Sequence, residues 1–111
     1  MDNYIPEKGD IVFLDFNPIR GHEQAGRRPA LIVSPKLFSV NTGLAIVCPI
    51  TNTIKDFPLH VMLDNTSRTT GVILCEHIKS IDFRARNVNF VEKISNEIME
   101  KVMEIINTFI Y

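Results

Sequence analysis

Glu23, Arg28 and Thr51 are the residues of this chain whose types and spacing suit joint chemistry. The first two lie in the longest irregular stretch, Asn17–Arg28 (NPIRGHEQAGRR), which also holds Gly21 and Gly26. A polar loop of this length inside a compact domain is usually functional or disordered. Glu23 and Arg28 are five positions apart across a glycine, so the loop can fold both side chains into one pocket. Arg28 precedes Pro29, which biases it to extended backbone and makes it the first residue of a strand. Alternation then puts Arg28, Ala30, Ile32 and Ser34 on one side and Arg27 on the other, so only one of the two arginines faces a cleft. Thr51 follows the run Leu44–Ile50 directly, which brings its hydroxyl out at the rim of the fold.

A carboxylate, an arginine and a hydroxyl suit one reaction especially: attack by an RNA 2′-hydroxyl on the adjacent phosphate, which needs no metal. Glu23 would take the hydroxyl proton, Arg28 would clamp the charge developing on phosphorus, and Thr51 would donate a hydrogen bond to the phosphate. General acid–base help is worth about 10²–10⁴-fold, and electrostatic clamping at least as much. Blander accounts of the same residues are the commoner ones. Glu23 and Arg28 can be a surface ion pair worth about 0–1 kcal/mol, and Thr51 a turn residue bonded to its own backbone. His22 and His77 can also serve as acid or base, or as surface or base-contacting residues. Glu76 and His77, adjacent on a strand, are expected to point to opposite sides and not to work as a pair.

These residues need elements to position them. Asp10–Phe16 (DIVFLDF) is apolar on both sides, as expected of a central strand in a small barrel. Similar runs follow at Pro29–Ser34, Leu44–Ile50, Pro58–Leu63, Gly71–Glu76 and His77–Phe83, with a weaker one at Val88–Lys93. Turn formers separate them at Asn17–Pro18, Asn41–Thr42–Gly43, Asn52–Thr53 and Asp64–Asn65. From Ser95 the period turns helical: Ile98, Val102, Ile105 and Phe109 form one apolar row, and Met99, Met103, Ile106 and Ile110 its neighbour. Ser95 is the expected N-cap, and Ile94 with Met99 has the spacing of a hydrophobic staple. The pattern predicts a mainly β, α+β domain: a small antiparallel barrel with a C-terminal helix packed on it, including its apolar tip NTFIY.

Composition narrows the class. The 111 residues suggest one domain, 1–111, with no apolar run long enough for a membrane span. The N-terminus lacks the features of a secretory signal. A cytoplasmic protein is expected, with Cys48 and Cys75 as two small buried hydrophobes rather than a disulfide. No CxxC is present and the three histidines show no ligand spacing, so neither a metal nor a cofactor is expected. The net charge of −1 argues against nonspecific coating of nucleic acid. Residues 20–86, however, carry nine Lys/Arg against five Asp/Glu, a net of +4, while the flanks are net −5. A basic middle between acidic ends fits a local polyanion site.

The segment GDIVFLDFNPIRGHEQAGRRPALIVSP resembles the N-terminal signature of MazF/PemK toxins, and VCPIT and IKSIDFRAR resemble the family's second and third blocks. The similarity runs in register over residues 4–86. It implies an SH3-like barrel forming a homodimer, and sequence-specific, metal-independent cleavage of single-stranded RNA that leaves a 2′,3′-cyclic phosphate and a 5′-hydroxyl. It puts the family's catalytic arginine on Arg28, its threonine on Thr51 and its loop glutamate on Glu23. RNA contacts are implied near Phe16, Asn17, His22, Gln24, Lys55, His77, Lys79 and Arg86. A cognate MazE-like antitoxin, with an acidic C-terminal tail laid over the same groove, is the implied inhibitor. His22 stands where many relatives have serine, leaving the general base open between His22 and Glu23. His77 stands where glutamine is frequent, and the cleavage sequence is not inherited. The competing readings are a non-catalytic gyrase inhibitor of the same fold, like the CcdB toxins, and a small barrel that binds RNA or a peptide without turnover.

Overall fold

A computed structural model describes residues 3–16, 26–53 and 58–110. Their elements are β1 (Asp10–Asp15), β2 (Arg27–Ile32), α1 (Lys36–Thr42), β3 (Leu44–Thr51), β4 (His60–Met62), β5 (Val72–Leu74), a 3-10 helix (Cys75–His77), β6 (Lys79–Asp82), β7 (Asn89–Lys93) and α2 (Asn96–Ile110). The strands form one antiparallel sheet in the order β4-β5-β3-β2-β1-β7, with β6 paired to the other half of β3. The mainly β, α+β architecture is as expected, but the strand path does not close into a barrel.

Both faces of the middle of the sheet are buried, because Ile11–Leu14, Ala30–Ile32 and Ala45–Ile50 are apolar on both sides of their strands. Ile11, Leu31, Cys48, Ile50 and Ile73 line one face, where α2 packs through Ile98, Val102 and Ile106. Val12, Leu14, Ala30, Ile32, Val47, Ile81 and Phe83 line the other, with Tyr4, Ile5 and Phe16 against them. The continuous apolar runs of β1 and β3 are thereby explained.

Helix α2 starts as expected: the Ser95 hydroxyl accepts from the Ile98 amide at 3.3 Å. Its buried stripe is narrower than the sequence suggested, running Ile98–Val102–Ile106. The tip is not packed, since Phe109 is 40% and Ile110 63% exposed. Helix α1 was not anticipated. It is a single short helix, KLFSVNT, whose last four residues are indifferent helix formers, and the turn expected at 41–43 is its C-terminus, where Gly43 takes a left-handed φ of 76°.

The runs expected as strands at Gly71–Glu76 and His77–Phe83 are divided differently. Strand β5 stops at Leu74, and Cys75–His77 turns into a 3-10 helix closed by the Ile78 amide donating to the Cys75 carbonyl. This turn switches the neighbour of β3 from β5, opposite Ile50 and Thr51, to β6, opposite Leu44–Val47. Gly71 stands at the start of β5 with φ of 120°, and a Cβ there would lie 2.5 Å from the Thr51 carbonyl oxygen. Gly71→Ala is therefore expected to destabilise the protein by at least about 1–3 kcal/mol, from backbone strain alone, as read by urea unfolding. An unchanged unfolding midpoint would mean that the β3–β5 ladder yields without cost.

Candidate active site

Four of the candidate residues come together at one end of one sheet face. Phe16 follows β1 on the face of Val12 and Leu14, and packs on their cluster. Arg28 opens β2 on the face of Ala30 and Ile32, and Thr51 closes β3 on the face of Ala45 and Val47. Ala30 pairs with Pro49, and from that pair each strand runs two residues further, to Arg28 and Thr51. Lys79 opens β6 opposite Val47, with its ammonium 5.1 Å from the Phe16 ring centroid. The antiparallel sheet thus gathers two cations, a hydroxyl and an aromatic ring from positions 16 to 79.

The two neighbouring arginines have opposite environments, as strand alternation requires. Arg27 is held. Its guanidinium donates to Asp15 Oδ1 at 3.1 Å, to the Phe13 and Asn87 carbonyls at 3.2 and 2.8 Å, and to Asn89 Oδ1 at 2.7 Å. Asn87, itself at a φ of 53°, donates to the other Asp15 oxygen at 2.8 Å. That bond, followed by the Arg27 guanidinium, holds the Asp15 carboxyl below the usual carboxylate range despite some desolvation. Arg28 is exposed and has no ion pair or hydrogen-bonded side-chain partner among the described residues. No described residue occupies its fork, whose geometry suits an anion.

Thr51 does what a turn residue does, its Oγ1 accepting from the Thr53 amide at 3.1 Å. That bond uses a lone pair and leaves the hydroxyl proton to donate, so the turn role and a phosphate role are compatible. Arg86 is half-buried and committed in part to the end of β1, donating to the Phe16 carbonyl at 2.8 Å. It braces the backbone that carries the Phe16 ring. His77 is exposed on the 3-10 helix two residues before Lys79. Glu23, and with it Asn17, His22, Gln24 and Lys55, lies outside the described residues.

Glu76 and His77 depart from expectation. Because they sit on a 3-10 turn rather than a strand, they do not face opposite ways: His77 Nε2 is 3.6 Å from Glu76 Oε2. The same oxygen accepts from His60 Nε2 on β4 at 2.8 Å. Burial works against the Glu76 carboxylate, but the His60 bond and the nearby imidazoles outweigh it and hold the carboxyl below its usual range. Cys48 and Cys75 are free and fully buried, and their mutual hydrogen bond together with burial pushes the Cys48 thiol up. No three His, Cys, Asp or Glu side chains among the described residues are placed to hold a metal ion.

The GD of the signature is structural. Asp10 is buried, accepts from the Tyr4 hydroxyl and the Glu7 amide, and pairs with Lys93 at 2.9 Å, tying the N-terminal segment to β7. Arg27, Asn87 and His60 were not singled out from sequence. Their partners are 12 to 72 residues away along the chain, a separation that no local pattern reports.

An antiparallel sheet with a C-terminal helix, carrying Arg28, Thr51 and a lysine–phenylalanine pair at one end, defines a small α+β protein whose site suits a polyanion. Residues 7–110 match the family described as "PemK-like, MazF-like toxin of type II toxin-antitoxin system", and the chain belongs to that family. It is 36% identical to the endoribonuclease toxin MazF of Escherichia coli K12 over 110 residues, covering 99% of this chain and 98% of that one. Against endoribonuclease EndoA of Bacillus subtilis 168 it is 34% identical, covering 90% of each. Among solved structures, MazF of Deinococcus radiodurans superposes with a TM-score of 0.86 at 36% identity, over 96% of both chains. MazF from a MazE–MazF complex of the same organism gives 0.87 at 33% identity, over 95% of both.

Proposed function

We propose that this chain cleaves single-stranded RNA by driving a 2′-hydroxyl onto the adjoining phosphate, with Arg28 clamping the phosphate and Thr51 donating to it. The chain is an endoribonuclease toxin of the MazF/PemK type, like its curated relatives MazF, PemK and EndoA. What supports these roles is the single most telling contrast in the site: of two consecutive arginines, Arg27 makes four hydrogen bonds and Arg28 has no partner among the described residues, on the face shared with Thr51 and Lys79.

In this mechanism Glu23 or His22 takes the 2′-hydroxyl proton, the P–O5′ bond breaks, and the 5′-oxygen leaves with a proton. The products are a 2′,3′-cyclic phosphate and a 5′-hydroxyl. Lys79 adds charge along the phosphate path, and its contact with Phe16 offers that ring as a stacking surface for a base. The remaining RNA contacts are assigned to Asn17, Gln24, Lys55, His77 and Arg86.

The inhibitor is a MazE-like antitoxin, the partner in the Deinococcus MazE–MazF complexes. An acidic tail lying over the Arg28–Lys79 face would neutralise it. The functional unit in this reading is a single-domain chain paired as a homodimer and acting in the cytoplasm. No helix among the described residues is long and apolar enough to cross a membrane. A CcdB-like gyrase inhibitor draws no support from the family match. The exposure of Phe109 and Ile110 corrects the expected packing of the tip, without giving Arg28 and Thr51 any task in such an inhibitor.

The test is to incubate purified protein with a long single-stranded RNA in EDTA and to map the 5′ ends of the fragments. Discrete cuts at one short sequence with 5′-hydroxyl ends are expected. Intact RNA, with Arg28→Ala matching the wild type in a growth-arrest assay, would move the reading to the inhibitor.

A further inference from the structure

The 3-10 helix links two parts of the candidate site. It follows β5, whose Val72 pairs with Thr51, and precedes Lys79 by a single residue, Ile78. Along it the side chains grade outward: His60, on β4, is 9% exposed, Glu76 is 27% exposed, and His77 is 58% exposed. One carboxylate oxygen, Glu76 Oε2, accepts a hydrogen bond from His60 Nε2 at 2.8 Å and lies at ion-pair distance, 3.6 Å, from His77 Nε2. The other, Oε1, is buried with no hydrogen-bond partner among the described residues. A buried imidazole bonded to a carboxylate that also contacts an exposed imidazole is the arrangement by which an inner residue fixes the orientation of an outer one.

We infer that Glu76 is a positioning residue: braced from below by His60, it holds the His77 ring against the path of the RNA phosphates beside Lys79. This rests on the reading of the chain as an RNA-cleaving enzyme with His77 at its substrate groove. Glu76 touches no reacting atom. Its effect falls on substrate binding, through the orientation of one ring, and not on the chemical step. Left without the carboxylate, the His77 side chain would sample several rotamers and give up the contact it makes when held.

The experiment is a double-mutant cycle on Glu76→Gln and His77→Ala. It reads KM and kcat on a cleaved oligoribonucleotide, and the Kd of the matching oligonucleotide carrying 2′-O-methyl at the cut. Glu76→Gln alone is expected to raise KM and Kd about threefold to tenfold, the range of a modest contact coupling, with kcat little changed. His77→Ala should do the same, and the double variant should be no worse than His77→Ala alone. The His77 ring resonances should also shift in Glu76→Gln at an unchanged melting temperature. Additive losses would overturn the inference, because Glu76 would then act independently of His77. A melting temperature lowered in step with the KM effect would overturn it too, as a general structural role. A wild-type chain that neither cuts nor binds any RNA would instead sink the proposed function. Normal wild-type cleavage with an unaffected Glu76→Gln would sink this inference alone.

Discussion

Arg28→Ala is expected to lower single-turnover cleavage of RNA by about 10²–10³-fold, the usual cost of removing one preorganised donor from a developing oxyanion, with little change in stability. The second half of that expectation follows from exposure. Arg28 has no ion-pair or side-chain hydrogen-bond partner among the described residues, so its loss strands none of them, and exposed substitutions of this kind usually stay within about 0.5 kcal/mol. Arg28→Lys should recover only part of the rate, because an ammonium keeps the charge and loses the planar two-pronged fork. Its neighbour supplies the control. Arg27→Ala removes four hydrogen bonds that join β2 to β1, to Asn87 and to the first residue of β7, so it should lower the melting temperature where Arg28→Ala does not. Kinetics with enzyme in excess over a labelled oligoribonucleotide, beside thermal unfolding of both variants, read the contrast. Arg28→Ala cleaving within about threefold of the wild type, well short of the loss expected for one such donor, would remove Arg28 from the mechanism.

That contrast also marks how far the sequence could be read. Alternation before Pro29 separated Arg27 from Arg28, but it could not say which of them was open. The answer lies in Asp15, Asn87 and Asn89, which reach Arg27 only because β1 and β7 are neighbours in the sheet. Strands β1 and β3 were legible because residues apolar on both sides must be sandwiched, and α2 was legible because its period of 3.6 runs for four turns. The Cys75–His77 turn was not, because VILCEHIKSIDF reads as two abutting β-rich runs with no turn-forming residue between them. Nothing local signals that β3 needs two different neighbours along its length. Hence Glu76 and His77 looked like residues on opposite sides of a strand when they share a side of a turn. The helix tip failed for a different reason. Apolar periodicity reports which face could be buried, and whether the sheet extends far enough to cover Phe109 and Ile110 is a matter of tertiary dimensions.

Replacing the single 2′-hydroxyl at the cut by hydrogen, in an otherwise unchanged oligoribonucleotide, is expected to abolish cleavage at that bond altogether. In the proposed reaction the nucleophile belongs to the substrate. Its oxygen forms the new bond to phosphorus as the bond to O5′ breaks, and no residue placed at the site offers an equivalent attacking atom. Arg28 and Lys79 can only bind and stabilise, because a guanidinium and an ammonium have no lone pair to give, and Thr51 acts in this reaction as a hydrogen-bond donor to the phosphate. Binding should survive, because the phosphates and the bases that could stack on Phe16 are untouched by the change. The deoxy oligonucleotide should therefore compete with cleavable RNA at a Kd within about threefold of the parent, consistent with losing no more than one ordinary hydrogen bond. The loss of rate with retained affinity is what separates a missing nucleophile from a damaged binding site. Cleavage of the deoxy-substituted bond at a measurable rate would require a water nucleophile, and with it a 3′-phosphate or 5′-phosphate product. End-group analysis of the fragments would detect that product directly.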